Sequence, residues 1–583
     1  MDVDDDFYKA AKLINDLKAE EVEARLNAMK SLREIAEALE PERVRRELIP
    51  FLNDMTDDED EVLLLMAEQL GYIAPYVGGV QYMHLLFLPL ETLAAEEERP
   101  VREMAVESMQ TVAKDQTPAM MLEHFVPLLK RLASKEWYTA KLSACGLFTT
   151  VYPKIEDEAV KKDLKETFKS LCTDETPMVR RTAAVNLATF MGVVGSDYLM
   201  DQLVPIFTTL AEDDQDSVRL QTVGNCVSLA KLLGPEAQAA HVIPVVIEVT
   251  RDRSWRVRWS IANKFHDLCQ ALGPEVTNSS LGQAYQKLLQ DGEAEVRTAA
   301  AFNLTKVACL MEVDTVLSTI FPCLKQLVLD ASEHVRAALA SSIDDMSPVV
   351  GRDNTIDHLL PLLLMLLRDT NSDVRLNIIA KLHSINQVIG VELLSQSLLP
   401  AVVELAGDTK WRVRNAIIDH IPLLAEQLGP DFFNDKLCDL CMQWLSDDVF
   451  SIRMAATKNL QHLTKLFDQD WARGYIIPKV QEMHSHDSYL NRMTALFAIQ
   501  MLTESLDEDM LSADLLPLVV EMASDRVPNI RFNVSKTLEK MSKRFSTGIV
   551  QERVRPTLDR LAQDNDRDVV FYSRQALHSI AAN

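Results

Sequence analysis

The side chains that could hold a metal ion or act as nucleophiles are few and scattered in this 583-residue sequence. Cys438 and Cys441 form a CxxC pair, a spacing found among zinc ligands, but no second pair accompanies them. His484 and His486 lie two residues apart, with no third ligand near them in the sequence. We therefore interpret the cysteines as packing residues of an apolar helix and the histidines as surface residues of a turn.

The acidic run from Asp57 to Asp60 could attract a cation. A calcium loop, however, spaces its oxygen ligands around a turn glycine and ends in a bidentate glutamate, and this run lacks that pattern. The sequence also lacks glycine-rich phosphate loops, the HExxH motif of zinc proteases and the GxSxG motif of serine hydrolases. We predict a protein that is not an enzyme and that needs no cofactor.

Composition narrows the class of protein further. Glycine accounts for only 17 of 583 residues and aromatic residues for 6%, which favours an all-α fold. The net charge of −27 argues against nucleic acid or an anionic membrane as the main partner.

Eight scattered cysteines fit a reducing compartment, and the acidic start has no apolar core typical of a signal peptide. Because no apolar run reaches the ~18 residues of a membrane span, we expect no membrane insertion. We expect the cytoplasm as the location, with the nucleus as a second one.

A period of 39 residues runs through almost the whole chain. Steps of 39 from residue 57 meet Asp at eleven of fourteen positions, which we call the anchor positions. Six residues after the anchor, twelve of the fourteen residues are Lys or Arg, where chance gives about one or two. A weaker unit around Arg25 precedes the series, so the chain contains fifteen repeats.

Each repeat is predicted to form two helices. In repeat 10 the first covers residues 358–368 and is apolar almost all round, whereas the second, residues 373–389, has one apolar stripe. A proline seven or eight residues before the anchor, found in eleven repeats, is expected to bend the first helix or to start its straight part. Such a helix pair needs neighbours on both sides, so the predicted fold is an all-α superhelix, or solenoid. The anchor aspartates and the basic residues are expected to form a ladder between successive turns.

If the helices only build the solenoid, function should depend on the turn residues that vary from one repeat to the next. The residue three after the anchor is Trp411, Phe450 and Tyr489 in three consecutive repeats. With Arg412, Val449, Leu490 and Val527 beside them, we interpret these rings as an exposed contact stripe, the type of surface that supplies binding hot spots. A second cluster in repeats 5 and 7 contains Arg180, Arg181, Ser254, Trp255 and Arg256, although packing alone is a nearly equal alternative for Trp255.

The D-x-x-x-x-V-R turn within a 39-residue helix pair resembles the HEAT repeat. Fifteen such repeats in tandem, with segments such as TPMVRR, SWRVR, VRLNIIAKL and KWRVRNAII in order, resemble the scaffolding A subunits of protein phosphatase 2A. The resemblance implies that residues 1–390 bind an exchangeable regulatory B-type subunit, whereas residues 391–583 bind the phosphatase catalytic subunit.

By position, the resemblance also assigns site residues. The catalytic-subunit surface would consist of Trp411, Arg412, Val449, Phe450, Tyr489, Leu490, Val527 and Pro528. The regulatory-subunit surface would consist of Pro177, Arg180, Arg181, Ser254, Trp255 and Arg256. The alternative from the same fold class is another HEAT-repeat adaptor, such as a nuclear-transport receptor.

Overall fold

The computed structural model describes residues 12–382, 388–390 and 394–582. Within these ranges the chain is helical, with 3-10 and π turns and no strands, which confirms the predicted all-α class. The chain forms two compact units, Met1–Val296 and Arg297–Asn583, and the boundary falls inside the helix Ala294–Phe302. The predicted functional division at residue 390 stays a prediction.

The second helix of each repeat begins three residues after the anchor position. In the first unit these helices are Asp60–Tyr72, Arg99–Lys114, Tyr138–Cys145, Pro177–Met191, Asp216–Leu232 and Trp255–Val276. After the boundary helix they are Glu333–Ser342, Ser372–Ile379, Trp411–Leu428, Phe450–Phe467, Tyr489–Leu502, Pro528–Ser542 and Arg567–Ala582. Repeat 1 has Val22–Lys30 followed by Leu32–Arg43. The predicted end of the second helix of repeat 10 falls partly on residues 383–387, outside the described ranges.

Most first helices contain a π turn followed by a straight α-helical segment, and in repeat 3 the 3-10 helix Val80–Leu86 takes the place of the π turn. The straight segments are Ile49–Asp54, Phe87–Leu93, Val126–Ser134, Val204–Ala211, Ile243–Val249 and Gly282–Leu289 in the first unit. In the second unit they are Phe321–Leu327, Leu360–Leu367, Leu399–Ala406, Ile477–His484, Leu516–Met522 and Arg555–Leu561. Repeat 5 has the regular helix Glu158–Cys172, and repeat 12 has Pro430–Lys436 followed by Cys438–Trp444.

Proline accounts for most of the π turns, although the π turn Thr277–Leu281 precedes a segment without proline. Pro361 is the second residue of Leu360–Leu367, directly after the π turn Thr355–Leu359. Proline has no N–H and its ring clashes with the carbonyl four residues before it, so the preceding turn widens to relieve both problems. The expectation that the proline starts the straight part of the helix is confirmed.

Each second helix buries one stripe of side chains between the repeats. In Trp255–Val276 the stripe includes Val257, Ile261, Phe265 and Leu268, each with no exposed surface. Phe265 packs against Tyr285 of the next repeat, with ring centroids 4.9 Å apart. Burial of a side chain of this size contributes about 1.5–3 kcal/mol to folding, so stacking on both neighbours is what stabilises each pair.

The ladder between the turns joins most of the basic residues to an aspartate of the following repeat. Arg219 donates from Nε and Nη2 to both carboxylate oxygens of Asp252, over 2.7 and 2.9 Å. Its Nη1 donates to the main-chain carbonyls of Asp213 and Asp214 in its own turn, over 2.6 and 3.1 Å. One guanidinium therefore ties two turns together. Equivalent pairs are Arg25–Asp58, Lys141–Asp174, Arg180–Asp213, Arg258–Asp291, Arg297–Asp330, Arg336–Asp369, Arg375–Asp408, Arg414–Asp447, Arg492–Asp525 and Arg531–Asp564.

The anchor aspartates also shape their own turns. Asp213 Oδ1 accepts a hydrogen bond of 2.9 Å from the main-chain N–H of Gln215, two residues later. Burial alone would raise the pKa of Asp213, but the hydrogen bonds from Arg180 and Gln215 and the charges of Arg180 and Arg219 hold it below its ordinary value. In repeat 13 His486 takes the aspartate's local role, because its Nδ1 accepts a 3.0 Å hydrogen bond from the N–H of Ser488.

Three junctions between described repeats have no ion pair in the ladder. At these junctions the residue six after one anchor and the residue at the next anchor are Leu63 and Glu96, Arg102 and Lys135, and Arg453 and His486. Arg102 keeps only its own carbonyl partners, Glu96 and Glu97, over 2.7 and 2.5 Å. Its pKa is lowered by burial. At these junctions packing between helices joins the repeats without help from a carboxylate.

One buried carboxyl group lies apart from the ladder. Asp344 is fully buried after the helix Glu333–Ser342, and its two side-chain oxygens have no hydrogen-bond partner within the described ranges. Burial, together with repulsion from Asp345, raises the pKa of Asp344 well above its ordinary value, and Lys381 offsets this only in part. Folding therefore favours the neutral form of this carboxyl group.

We expect Arg219→Met to destabilise the protein by about 3 kcal/mol, because it leaves the carboxylate of Asp252 largely buried without its partner. Arg102→Met is the matched control, since that arginine has no carboxylate to leave behind and should cost less. Urea denaturation of both variants measures the difference. Equal losses would show that the link to the next aspartate does not stabilise the stack.

We expect Asp344→Asn to stabilise the protein more at pH 7.5 than at pH 5. An acid whose pKa is raised by folding contributes its full stability below the pKa of the unfolded chain, and this contribution is lost as pH rises towards the folded pKa. The loss amounts to at most about 1.4 kcal/mol per pH unit. Urea denaturation at the two pH values tests this, with Asp345→Asn as the control. A gain that is the same at both pH values would contradict the prediction.

Candidate protein-binding surfaces

The turn between the two helices decides which side chains face solvent. Trp411 is the first residue of the helix Trp411–Leu428, and Val413, two residues later, is fully buried. The anchor at Asp408 fixes this start, because its Oδ1 accepts from the N–H of Lys410 over 2.7 Å. With the buried stripe starting at Val413, the first helical residue points away from the stack.

We call the predicted catalytic-subunit residues the aromatic ridge: Trp411, Arg412, Val449, Phe450, Tyr489, Leu490, Val527 and Pro528. Trp411, Phe450 and Tyr489 are 36%, 56% and 45% exposed, and each starts the second helix of its repeat. Val449 and Val527 are half-buried, and Arg412, Leu490 and Pro528 are exposed. The rings are therefore not buried under adjacent repeats, as a packing role would require.

Arginines accompany two of these rings. The guanidinium of Arg412 lies over the indole of Trp411, 4.8 Å from the ring centroid. Arg453, which has no carboxylate in the next repeat, lies 5.7 Å from the centroid of Phe450. Both distances are within the range of cation–π attraction. Arg453 is buried and donates to the carbonyls of Asp447 and Asp448, so exposed positive charge lies beside Trp411 alone of these two rings.

We call the predicted regulatory-subunit residues the tryptophan–arginine ridge: Pro177, Arg180, Arg181, Ser254, Trp255 and Arg256. Trp255 is 38% exposed and Arg181 and Arg256 are exposed, whereas Pro177 and Ser254 are half-buried. The guanidinium of Arg256 lies 5.6 Å from the Trp255 ring centroid. Trp255 is thus partly covered and partly exposed, so both its role in binding and the packing alternative stay open.

Arg180 differs from the other members of this ridge. Its Nε and Nη2 donate to Asp213 over 2.6 and 3.0 Å, and its Nη1 donates to the carbonyl of Asp174 over 2.9 Å. These bonds occupy the guanidinium within the ladder.

The structure also exposes aromatic and apolar side chains that the sequence reasoning did not select. Trp137 is 57% exposed and packs on Tyr138 with ring centroids 5.6 Å apart, and Trp259 is 44% exposed one helical turn after Trp255. Neither Trp137 nor Trp259 is the third residue after an anchor position. That is the position at which the repeats differ most visibly, so neither residue was selected. Met178 and Val185 are exposed as well and line a groove of about 350 Å³ with Arg181.

The cysteines and histidines that could have bound metal have structural roles. Cys438 and Cys441 are buried in the helix Cys438–Trp444, and burial raises the pKa of Cys438 to about 11. Nδ1 of His484 lies 2.6 Å from the carbonyl of Gln481. No group of three or more potential metal ligands occurs among the residues that the structure describes. In the same part of the chain, no helix combines the length and the apolar character needed to cross a membrane.

Comparison with known families gives two matches. A family model described as "PPP2R1A-like HEAT repeat" matches residues 274–351 and 352–429. A second model, described as "PIK3R4-like, middle domain", matches residues 15–273.

Solved structures with the same architecture include Kap121p bound to RanGTP, with a TM-score of 0.63 and 14% identity over 96% of this chain and 59% of that one. A structure of Kap95p with RanGDP has a TM-score of 0.51 and 12% identity over 100% and 88% of the two chains. At these identities the likeness shows the fold alone.

The sequence relatives are much more similar. The probable serine/threonine-protein phosphatase PP2A regulatory subunit of Caenorhabditis elegans is 52% identical over 190 residues, 33% of this chain and 32% of the relative. The serine/threonine-protein phosphatase PP2A 65 kDa regulatory subunit of Drosophila melanogaster is 50% identical over 197 residues, 34% of this chain and 33% of the relative. The aligned segment spans about a third of the length of these relatives. Residues 274–429 thus match HEAT repeats of the PPP2R1A type, and about a third of the chain is similar to 65 kDa regulatory subunits of phosphatase 2A.

Proposed function

We propose that this chain is a non-catalytic scaffold that assembles a phosphatase 2A holoenzyme. The aromatic ridge would hold the catalytic subunit, and the tryptophan–arginine ridge would hold an exchangeable regulatory B-type subunit. The observation that carries the proposal is the row of exposed rings at the start of consecutive second helices, in a chain whose relatives are named as regulatory subunits.

The chemistry of the two ridges supports protein partners. Exposed aromatic side chains beside arginine are enriched among the residues that dominate binding energy at protein interfaces. The net charge of −27 disfavours nucleic acid, and we propose no membrane insertion and a cytoplasmic location. Residues 1–390 would serve the regulatory subunit, whereas residues 391–583 would serve the catalytic subunit.

A scaffold of this type acts through proximity. When two partners bind one chain, their encounter becomes intramolecular, and their effective concentration can reach the millimolar range when the linkage matches the span between the sites. The scaffold would thereby direct the phosphatase to substrates selected by the regulatory subunit, without contributing a reacting group. Any metal ions of the reaction would belong to the catalytic subunit.

The alternative function, nuclear transport, is favoured only by the fold shared with Kap121p and Kap95p. Affinity purification from a cell extract separates the two functions. Co-elution of a phosphatase catalytic subunit supports the scaffold, whereas a Ran-type GTPase with transport cargo in its place would overturn it.

We expect Trp411→Ala to weaken binding of the catalytic subunit by about 2–4 kcal/mol, the loss typical of a central aromatic residue in an interface. Ser372→Ala is the matched control, because Ser372 starts the second helix of repeat 10 outside both ridges. Calorimetry or surface plasmon resonance with the purified catalytic subunit measures both. Unchanged affinity of the tryptophan variant would remove the aromatic ridge from the proposal.

We expect Trp255→Ala and Arg181→Ala to weaken binding of a regulatory subunit but to leave binding of the catalytic subunit unchanged. The two ridges lie on different repeats and share no residue, so their losses should be separate. Binding of each subunit to each variant is measured independently. Equal loss of both subunits in either variant would contradict two separate sites.

A further inference from the structure

The turn of repeat 7 is fastened to the turn of repeat 6 by more contacts than the ladder supplies. In addition to the pair Arg219–Asp252, Arg253 donates from Nη2 to the carbonyl of Asp214 over 2.8 Å. Ser254 donates from its hydroxyl to Oδ2 of Asp216 over 2.9 Å. These bonds flank Trp255 on its N-terminal side.

Asp216 also acts on the C-terminal side of Trp255. Its Oδ2, the oxygen that accepts from Ser254, lies 3.9 Å from Nη1 of Arg256. Arg256 in turn lies over the indole of Trp255, 5.6 Å from the centroid. One carboxylate of the preceding repeat therefore restrains both sequence neighbours of the exposed tryptophan.

The ion pair of this carboxylate with Arg256 contributes little to folding. The side chains of Arg256 and Asp216 are 65% and 39% exposed, and ion pairs with such exposure typically contribute less than about 1 kcal/mol to stability. What the contact fixes is orientation, because a free arginine samples many rotamers and loses that freedom when a partner binds.

The aromatic ridge lacks the equivalent restraint. Ser372 occupies the position of Asp216 relative to Trp411, and within the described contacts its side chain makes no hydrogen bond to Lys410 or Arg412. The same type of bond does recur away from both ridges, where Asn371 donates from Nδ2 to Oε2 of Glu333 over 2.7 Å. That site has no aromatic residue to orient, so it provides a control of equal geometry.

We propose that Asp216 is a positioning residue of the tryptophan–arginine ridge, which holds Ser254 and Arg256 so that the indole of Trp255 and the guanidinium of Arg256 face a partner as a preformed pair. The partner segment would place an apolar side chain against the indole and a carboxylate or main-chain carbonyl oxygen against the guanidinium, whose side chain is largely exposed. This inference rests on the proposed function of the ridge.

The test uses the full-length chain and a purified regulatory B-type subunit. We expect Asp216→Ala to weaken binding by about three- to tenfold, the effect of one or two side chains that must be ordered on binding. Ser254→Ala should weaken it by less, because the contact of Asp216 with Arg256 remains. Glu333→Ala should leave the affinity unchanged, and the melting temperatures of the three variants should match that of the parent chain.

A double-mutant cycle separates positioning from direct contact with the partner. If Asp216 acts through its neighbours, Asp216→Ala should have little further effect in the Trp255→Ala, Arg256→Ala background. An undiminished effect in that background, or parental affinity of Asp216→Ala itself, would overturn the inference while leaving the proposed function intact. Parental affinity of Trp255→Ala would refute both the regulatory surface and the inference.

Discussion

Successive turns in this chain are linked by a carboxylate that serves two repeats at once. Asp252 accepts the N–H of Ser254 in its own turn and the guanidinium of Arg219 from the preceding repeat. The first bond fixes where the second helix starts, and the second fixes the register of one helix pair on the next. Because both bonds recur at a spacing of 39 residues in most repeats, the first residue of the second helix occupies the same place in those turns, which makes a row of turn residues a surface rather than a set of separate loops.

The exceptions to this link show what it contributes. At Arg453 the following anchor is His486, which reproduces the local hydrogen bond but offers no carboxylate, and the guanidinium lies near the ring of Phe450. At Leu63 the following anchor is Glu96, whose pKa is raised by burial and by the nearby charges of Asp57 and Asp60. Helix packing maintains the stack at these junctions, so the ladder adds specificity of register to a structure that apolar burial already stabilises.

The two ridges use the same frame in different ways. On the aromatic ridge the exposed rings follow each other in consecutive repeats, so the surface depends on repetition. On the tryptophan–arginine ridge a single indole is restrained through a carboxylate of the preceding repeat, so the surface depends on local preorganisation. Preorganisation of this kind lowers the ordering cost of an association, because the side chains are already held in one orientation before a partner binds.

The sequence by itself determined the features that repeat. The 39-residue spacing predicted the helix pairs, and the sequence also predicted the proline at the start of most straight segments and the exposure of Trp411, Phe450 and Tyr489. The sequence left open whether each arginine would pair with a carboxylate in its own turn or with one in a neighbouring turn. It gave no sign that Asp344 is buried without a partner, that Trp137 and Trp259 are exposed, or that Asp216 reaches Ser254. Some of these features are contacts between residues some 33 to 38 positions apart in the sequence. The others are single sites that depart from the periodic pattern. Both are set only by the stacking of one repeat on its neighbour.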